Sequence, residues 1–231
     1  MDQTHQITKL LLATRNKDKI IEIKEILKEL DVKIISASDF PNMPDVVEDR
    51  DTIEGNAIKK AIECARFTNL LTIADDTGLF VDALNGKPGV YASRFAGENC
   101  TYRDNRLKLL KEMEGKTSRS AQFRTVVAFA SPQKLIATVE GKVNGVITEE
   151  EFGENGFGYD PIFRANETSK TFGEMYEKEK HKISHRGRAF RNLIPVLKDM
   201  CVIQTIDEEL SHRLTQTSTD KKSQWQEKVL R

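Results

Sequence analysis

Leu70-Leu71-Thr72-Ile73-Ala74-Asp75-Asp76-Thr77-Gly78 decides how this chain is read. The apolar run 70–74 has the length and β-leaning composition of a buried strand, and Gly78 predicts a turn just after it. Two adjacent carboxylates at a strand's mouth repel each other unless a cation lies between them or one holds a proton. Hard cations such as Mg²⁺ take oxygen ligands and accompany phosphate substrates. Asp-Asp-Thr-Gly also makes a good capped turn, so the dipeptide alone leaves turn and cation site open.

Upstream, Leu10-Leu11-Leu12-Ala13 is a second buried-strand run. It is followed by the polar loop Thr14 to Lys19 and by Ile20, Ile23, Leu27 and Leu30 at helical spacing. Val32 to Ile35 is the next strand. A second helix is expected from Asp51 or Thr52, either able to cap it, with Ile53, Ala57, Ala61, Ile62 and Ala65 facing inward. Strands alternating with helices imply an α/β fold whose ligands gather at strand carboxyl ends.

Downstream, Leu107, Leu110 and Met113 predict a third helix. Phe123 to Ala130 and Leu135 to Val139 predict paired strands around Ser131-Pro132, and Val143 to Ile147 a further strand. Gly153 to Pro161 is too rich in Gly and Pro for anything but an ordered loop. A last helix is expected near Ser184, carrying Phe190, Leu193, Val196 and Leu197, with Pro195 kinking or restarting it. Residues 1–202 form one expected domain, and 203–231 a polar extension, partly helical or disordered.

Composition narrows the class. With 38% hydrophobic and 31% charged residues among 231, the chain is a soluble globular protein large enough for a real core. Lys+Arg and Asp+Glu balance at 36 each, so no global field draws it to nucleic acid or membrane. Anionic ligands must be gathered by local cations. Cys64, Cys100 and Cys201 are widely spaced and form no CxxC pair, which argues against a disulfide framework or zinc site. No run approaches the roughly 18 apolar residues of a membrane span, and a cytoplasmic setting is the default.

Several segments carry candidate chemistry. The loop Thr14-Arg15-Asn16-Lys17-Asp18-Lys19 joins a buried strand to a helix start, where backbone N–H groups and a lysine can cradle phosphate. It contains no glycine and is not a Walker loop; an ordinary βα loop with a solvated lysine is the other reading. Of Lys59 and Lys60, at most one can face a site. Glu48 and Asp49 precede the second helix, where a loop can bring a carboxylate toward Asp75-Asp76 or leave it in water. Phe157-Gly158-Tyr159-Asp160 offers rings that either stack on a purine or anchor the loop. Ser184-His185-Arg186-Gly187 either caps a helix or, with Lys180, reads a base and a phosphate.

Taken together, Thr14-x-Asn16-x-x-Lys19, Glu54-Gly55-Asn56-Ala57 with Lys60-Ala61, Ala74 to Leu79, Pro88-Gly89-Val90-Tyr91, Gly156 to Pro161 and Lys180 with Ser184 to Gly187 occur in family order. Over about Lys9 to Met200 the chain resembles the inosine/xanthosine triphosphate pyrophosphatases, which remove deaminated purine nucleotides. The resemblance implies a long curved mixed central sheet flanked by helices, with two lobes around a nucleotide cleft. It also implies Mg²⁺-dependent hydrolysis of ITP, dITP and XTP to monophosphate and pyrophosphate, refusal of ATP and GTP, and a homodimer. By position, Thr14, Arg15, Asn16, Lys17, Asp18 and Lys19 hold the triphosphate with Lys60 and Thr77. Glu48 and Asp76 bind Mg²⁺, Asp76 is the general base, and Asp75 supports the metal or its waters. Phe157 stacks on the purine, and Gly158, Tyr159, Asp160, Lys180, His185 and Arg186 complete the pocket. Thr77 stands where serine is commoner, and the chain runs longer than the family's usual end. Two alternatives remain: a pyrophosphatase for modified pyrimidine nucleotides, or a silent nucleotide-binding protein.

Overall fold

The structure, a computed structural model, describes residues 8–200. The chain divides after Leu193. Residues 194–200 are helical, Pro195 included, and the extension expected over 203–231 lies outside the described residues.

β1 (Thr8–Leu12), α1 (Lys17–Ile26) and β2 (Val32–Ser36) form the expected opening unit. Ile23 and Leu27 are buried as their spacing requires, while Ile20 and Leu30 are half-buried. α2 (Ile53–Thr68) starts where the Thr52 side chain accepts from the Gly55 N–H, so Thr52 rather than Asp51 is its cap. Ile53, Ala57, Ala61 and Ala65 face inward, joined by Asn56 and Cys64. The helix feeds β3 (Leu71–Val81).

β3 departs from expectation. It does not end at Asp75, and Gly78 is not a turn: the strand runs through both to Val81, paired with β5 from Thr72 onward. What ends there is its neighbour. β1 pairs with β3 only through Leu10, Leu11 and Leu12, opposite Leu71, Thr72 and Ile73. On that edge β3 next finds a partner at Leu79 and Phe80, against β4 (Pro88–Gly89). Residues 74–78 therefore border a notch in the sheet. At Gly78 a Cβ would lie 2.7 Å from the Phe80 ring and 2.9 Å from the Gly89 carbonyl, so glycine here lets β4 close in.

The sheet has the order β2-β1-β3-β5-β6-β7, with β4 on the free edge of β3. β2, β1 and β3 are parallel and the rest antiparallel, giving the expected mixed sheet. β5 (Ser120–Ala130) and β6 (Leu135–Ile147) form the hairpin around Ser131-Pro132, and Val143 to Ile147 is the end of β6 rather than a separate strand. β7 is Phe163–Ala165. α3 (Tyr102–Glu112) and the residue after it bury Leu109 and Met113, whereas Leu107, expected inward, is exposed. α4 (Glu177–Ile183) was not foreseen; it is one short helix with no side-chain cap bond. α5 opens at residue 185, beside the expected Ser184, and buries Phe190 and Leu193.

Each sheet face carries its own core. Leu79, Val81, Phe123, Phe163 and Phe172 pack on one side. Leu11, Ala74, Ala128 and the alanines of α2 pack on the other. Successive strand residues point to opposite faces, so Asp75 and Thr77 share the face of Leu79, while Asp76 shares the face of Ala74. The two adjacent carboxylates are thereby separated by the sheet itself.

β6 approaches α5 closely at Gly141, where a Cβ would lie 2.2 Å from the His185 carbonyl and 2.3 Å from the Ala189 nitrogen. Gly141→Ala is expected to destabilise the protein by about 1–3 kcal/mol through overpacking. Urea unfolding checks this; an unchanged midpoint would mean that α5 does not lie on β6 as described.

Candidate functional site

The notch opens into a cavity of about 390 Å³, within the size range of ligand pockets. Its phosphate-loop side is the turn from β1 into α1. Asn16 caps α1, its Oδ1 accepting from the Asp18 N–H at 3.0 Å and the Lys19 N–H at 3.2 Å. Thr14 Oγ1 accepts from the Asn16 N–H at 3.2 Å. Three of the amides expected to cradle phosphate thus already have acceptors, which leaves the helix dipole and the Lys19 ammonium as the attraction. Burial lowers the Lys19 pKa, with Asp75 opposing the effect and the Lys60 and Arg186 charges adding to it. Arg15 reaches away to Asp45 and the Met43 carbonyl, tying down the segment that leads to Glu48. Lys17 is exposed and outside the cavity lining, and Asp18 borders a neighbouring groove.

The acidic side is built by α2, β3 and the segment before α2. Lys60 faces inward, donating to Glu48 Oε1 at 2.5 Å and to the Asp75 carbonyl at 2.8 Å. Its neighbour Lys59 faces the other way and bonds the Val47 carbonyl and Asp49 at 2.8 and 2.9 Å. Asp76 accepts from Asn56 Nδ2 at 3.1 Å and from the Thr77 N–H at 2.9 Å. Burial raises the Asp76 pKa and the nearby Glu48 charge adds to it, against the pull of Lys60 and Lys19. Burial also works against the Glu48 carboxylate, yet Lys60, Lys19 and Arg94 outweigh it and hold its pKa down.

Asp75, on the opposite face, belongs to a different construction. Its Oδ2 lies 3.1 Å from Lys19 Nζ and 3.3 Å from Arg186 Nε. Arg186 reaches Glu22 Oε2 at 2.5 Å, and Glu22 Oε1 accepts from Lys180 Nζ at 2.6 Å. Lys180 in turn pairs with Asp160 at 2.5 Å. Positive and negative groups therefore alternate along one buried chain: Lys19, Asp75, Arg186, Glu22, Lys180, Asp160. Despite burial, Arg186 and Lys180 pull the Glu22 pKa down to about 2. Burial opposes ionisation of Asp75 too, but Lys19, Arg186 and Lys60 hold it well below the usual carboxylate range.

The aromatic side is fixed by that chain. Asp160 Oδ2 also accepts from the Phe157 N–H at 2.8 Å, and a Cβ at Gly156 would lie 2.1 Å from the same oxygen. Lys180 Nζ and Arg186 Cζ lie 5.0 and 5.4 Å from the Phe157 ring centroid, within cation–π range. Tyr159 is a loop anchor, its buried hydroxyl donating to the Ala92 carbonyl at 2.8 Å. His185 stacks on Phe123 at 4.3 Å, and burial together with the Arg186 and Lys180 charges keeps it neutral.

Of the expected residues, Thr14, Arg15, Asn16, Lys19, Glu48, Lys60, Asp76, Thr77, Phe157 to Asp160, Lys180, His185 and Arg186 line the cavity. Sequence reasoning missed Glu22 and gave Asn56 no role. Glu22 lies three residues after Lys19 and next to the inward-facing Ile23, so helical spacing places its carboxylate near the inner face of α1, which is the signal that would have found it. Among the described residues no three carboxylate, imidazole or thiol groups converge on a metal position. The donor set nonetheless fits Mg²⁺: Glu48 and Asp76 are hard oxygen donors, and the Glu48 charge is near enough to oppose ionisation of Asp76. Mg²⁺ ordinarily takes one or two carboxylates and completes its shell with water and substrate phosphates.

The Ham1 family model matches residues 10–196. A dITP/XTP pyrophosphatase of Desulforamulus reducens is 46% identical over 200 residues, 86% of this chain and 100% of its own. One from Geobacter sulfurreducens is 46% identical over 195 residues, covering 84% of this chain and 96% of the relative. A HAM1 protein from Coxiella burnetii has a similar solved structure, with TM-score 0.77, 38% identity, and coverage of 84% and 100%. The Staphylococcus aureus Ham1 protein follows with TM-score 0.75, 39% identity and the same 84% and 100% coverage.

Glu22 binds its proton less readily folded than unfolded, so as pH falls the unfolded chain is protonated first and unfolding is favoured. The stability this gives is present above the ordinary glutamate value of 4.5 and is lost as pH falls toward about 2. Glu22→Gln is expected to cost about 3 kcal/mol at neutral pH and to flatten that acid dependence. Denaturant titrations from neutral pH downward measure both; equal slopes in the two proteins would contradict the buried pairing.

Proposed function

Since this chain belongs to the Ham1 family, we propose that it hydrolyses ITP, dITP and XTP to the monophosphate and pyrophosphate. The observation that carries the reading is one cavity in which a cation-flanked ring, a lysine-bearing helix start, the half-buried Glu48 and the buried Asp76 meet. Phe157 takes the purine and the Lys19 end takes the phosphates. The α-phosphorus is then brought beside Asp76, between those two ends.

Asp76 is the general base. Its hydrogen bonds from Asn56 and Thr77 hold the carboxylate in one orientation, and its raised pKa strengthens it as a proton acceptor. It takes a proton from water as that water attacks the α-phosphorus, and pyrophosphate leaves. Lys60 and Lys19 face the charge that builds on the phosphoryl oxygens. Glu48 and Asp76 would hold Mg²⁺, which when bound acidifies water and neutralises phosphate charge. Asp75 is a positioning residue that fixes Lys19 and Arg186 rather than a metal supporter.

Selection of the base follows from hydrogen-bond matching. Hypoxanthine and xanthine carry a carbonyl at position 6, where adenine carries an amino group that leaves donors unpaired, costing roughly 1–3 kcal/mol each. The Arg186 guanidinium is engaged by Glu22, Asp75 and Thr77. The first-turn amides of α5 at His185 and Arg186, which have no intrahelical acceptor, are the better placed donors. Guanine shares the carbonyl and is refused through its 2-amino group. The same reading makes the protein a cytoplasmic homodimer; among the described residues no helix is long and apolar enough to cross a membrane.

The test is turnover of ITP, XTP, dITP, ATP, GTP and dUTP with Mg²⁺, with products separated by chromatography. Pyrophosphate from the first three alone is expected. Asp76→Asn should lower kcat by about 10²–10⁴-fold while nucleotide binding, followed by calorimetry, survives. Undiminished turnover in that variant would remove Asp76 as the base, and dUTP as the best substrate would favour the pyrimidine reading.

A further inference from the structure

Tyr102 is the first residue of α3, and its position is firmly set. Thr101 and Asp104 form a reciprocal capping box around the helix start, with bonds of 2.8 and 3.1 Å. One turn on, the buried Asn105 side chain bonds the Ala96 N–H at 2.7 Å and the Ser93 carbonyl at 3.0 Å. From this base the tyrosine reaches across the mouth of the cavity. Its hydroxyl accepts from Asn16 Nδ2 at 2.9 Å and donates to Asp18 Oδ2 at 3.3 Å. Its ring lies 5.7 Å from the Phe157 ring, inclined at 41°. The side chain is 39% exposed and forms the wall between the cavity and the adjoining groove.

One side chain thus touches both ends of the site: the ring that takes the base and the loop that takes the phosphates. A nucleotide is ordered base, sugar, phosphate, so a group spanning the two outer contacts lies beside the sugar. A phenol carries one donor hydrogen and one good in-plane acceptor position. The acceptor is taken by Asn16 at 2.9 Å, whereas the bond to Asp18 at 3.3 Å is long for an O–H donor, so the hydrogen can turn to a sugar oxygen. We propose that Tyr102 is the sugar-binding residue of the site, its ring walling the ribose and its hydroxyl donating a hydrogen bond to a ribose hydroxyl oxygen. The inference rests on the nucleotide reading of the cavity and adds to it a contact with the substrate's middle.

The test compares the wild type with Tyr102→Phe, which keeps the ring and removes only the oxygen. The substrates are ITP and its 2′,3′-dideoxy analogue, which has no sugar hydroxyl. Loss of one hydrogen bond is expected to raise KM for ITP roughly three- to tenfold with kcat little changed. KM for the dideoxy analogue should move less than about twofold, because the contact is already absent there. Calorimetric binding of the two monophosphates to both proteins gives the same comparison without turnover. Equal losses for both ligands would mean that the hydroxyl serves only Asn16 and the phosphate loop, and no loss for either would remove the contact altogether; both overturn the proposal. Failure of the wild type to release pyrophosphate from ITP would instead strike the underlying nucleotide reading.

Discussion

The buried run of alternating charges is the constraint on which the rest of the site depends. Lys19 and Glu22 come from α1, Asp75 from β3, Asp160 from the glycine-rich loop, Lys180 from α4 and Arg186 from α5. Taking any one of these charges out of water alone costs several kcal/mol, and only a complete set of partners offsets it. The arrangement is therefore close to all-or-none. It requires α1, α4 and α5 to meet over one face of β3, and it holds the Phe157 loop through Asp160. A hydrophobic contact could slide by a fraction of an ångström at little cost, but a bidentate or shared ion pair cannot.

The sheet solves a second electrostatic problem. Adjacent carboxylates in solution would compete for the same cation, yet a strand turns consecutive side chains to opposite faces. Asp75 is given to the ion-pair chain and stays ionised. Asp76 is given to α2, where it has one amide donor, one backbone donor and a neighbouring glutamate, and its proton affinity rises. The same dipeptide thus yields a structural anion and a candidate base. The early end of β1 supplies the opening through which Asp76 is reached.

Much of this was readable in the residues. The opening β-loop-α-β unit, α2 and the β5–β6 hairpin followed from hydrophobic period and turn chemistry, and most cavity-lining groups from motifs in their order. What escaped depends on pairings distant in sequence. Gly78 signals a turn locally, but it is required by the approach of β4. Leu107 has helical spacing, yet the face that meets the core carries Leu109 and Met113. α4 is made of good helix formers, but seven residues with Ile183 as the one aliphatic side chain show no apolar period to read, and its position comes from Lys180 and its partners. The place of Glu22 beside Lys19 and Ile23 on α1 hints that it faces inward, but its pairing was not readable, because its counterions lie more than a hundred residues away in the chain.

The central claim is that water attacks the α-phosphorus of a purine triphosphate beside Asp76. Hydrolysis of ITP in water enriched in the heavy oxygen isotope, followed by mass analysis of both products, tests it most directly. The account predicts the label in the monophosphate and none in pyrophosphate. Label in pyrophosphate, or in free phosphate, would place the attack at another phosphorus and contradict the arrangement of Lys19, Lys60 and Asp76 around the bond that breaks.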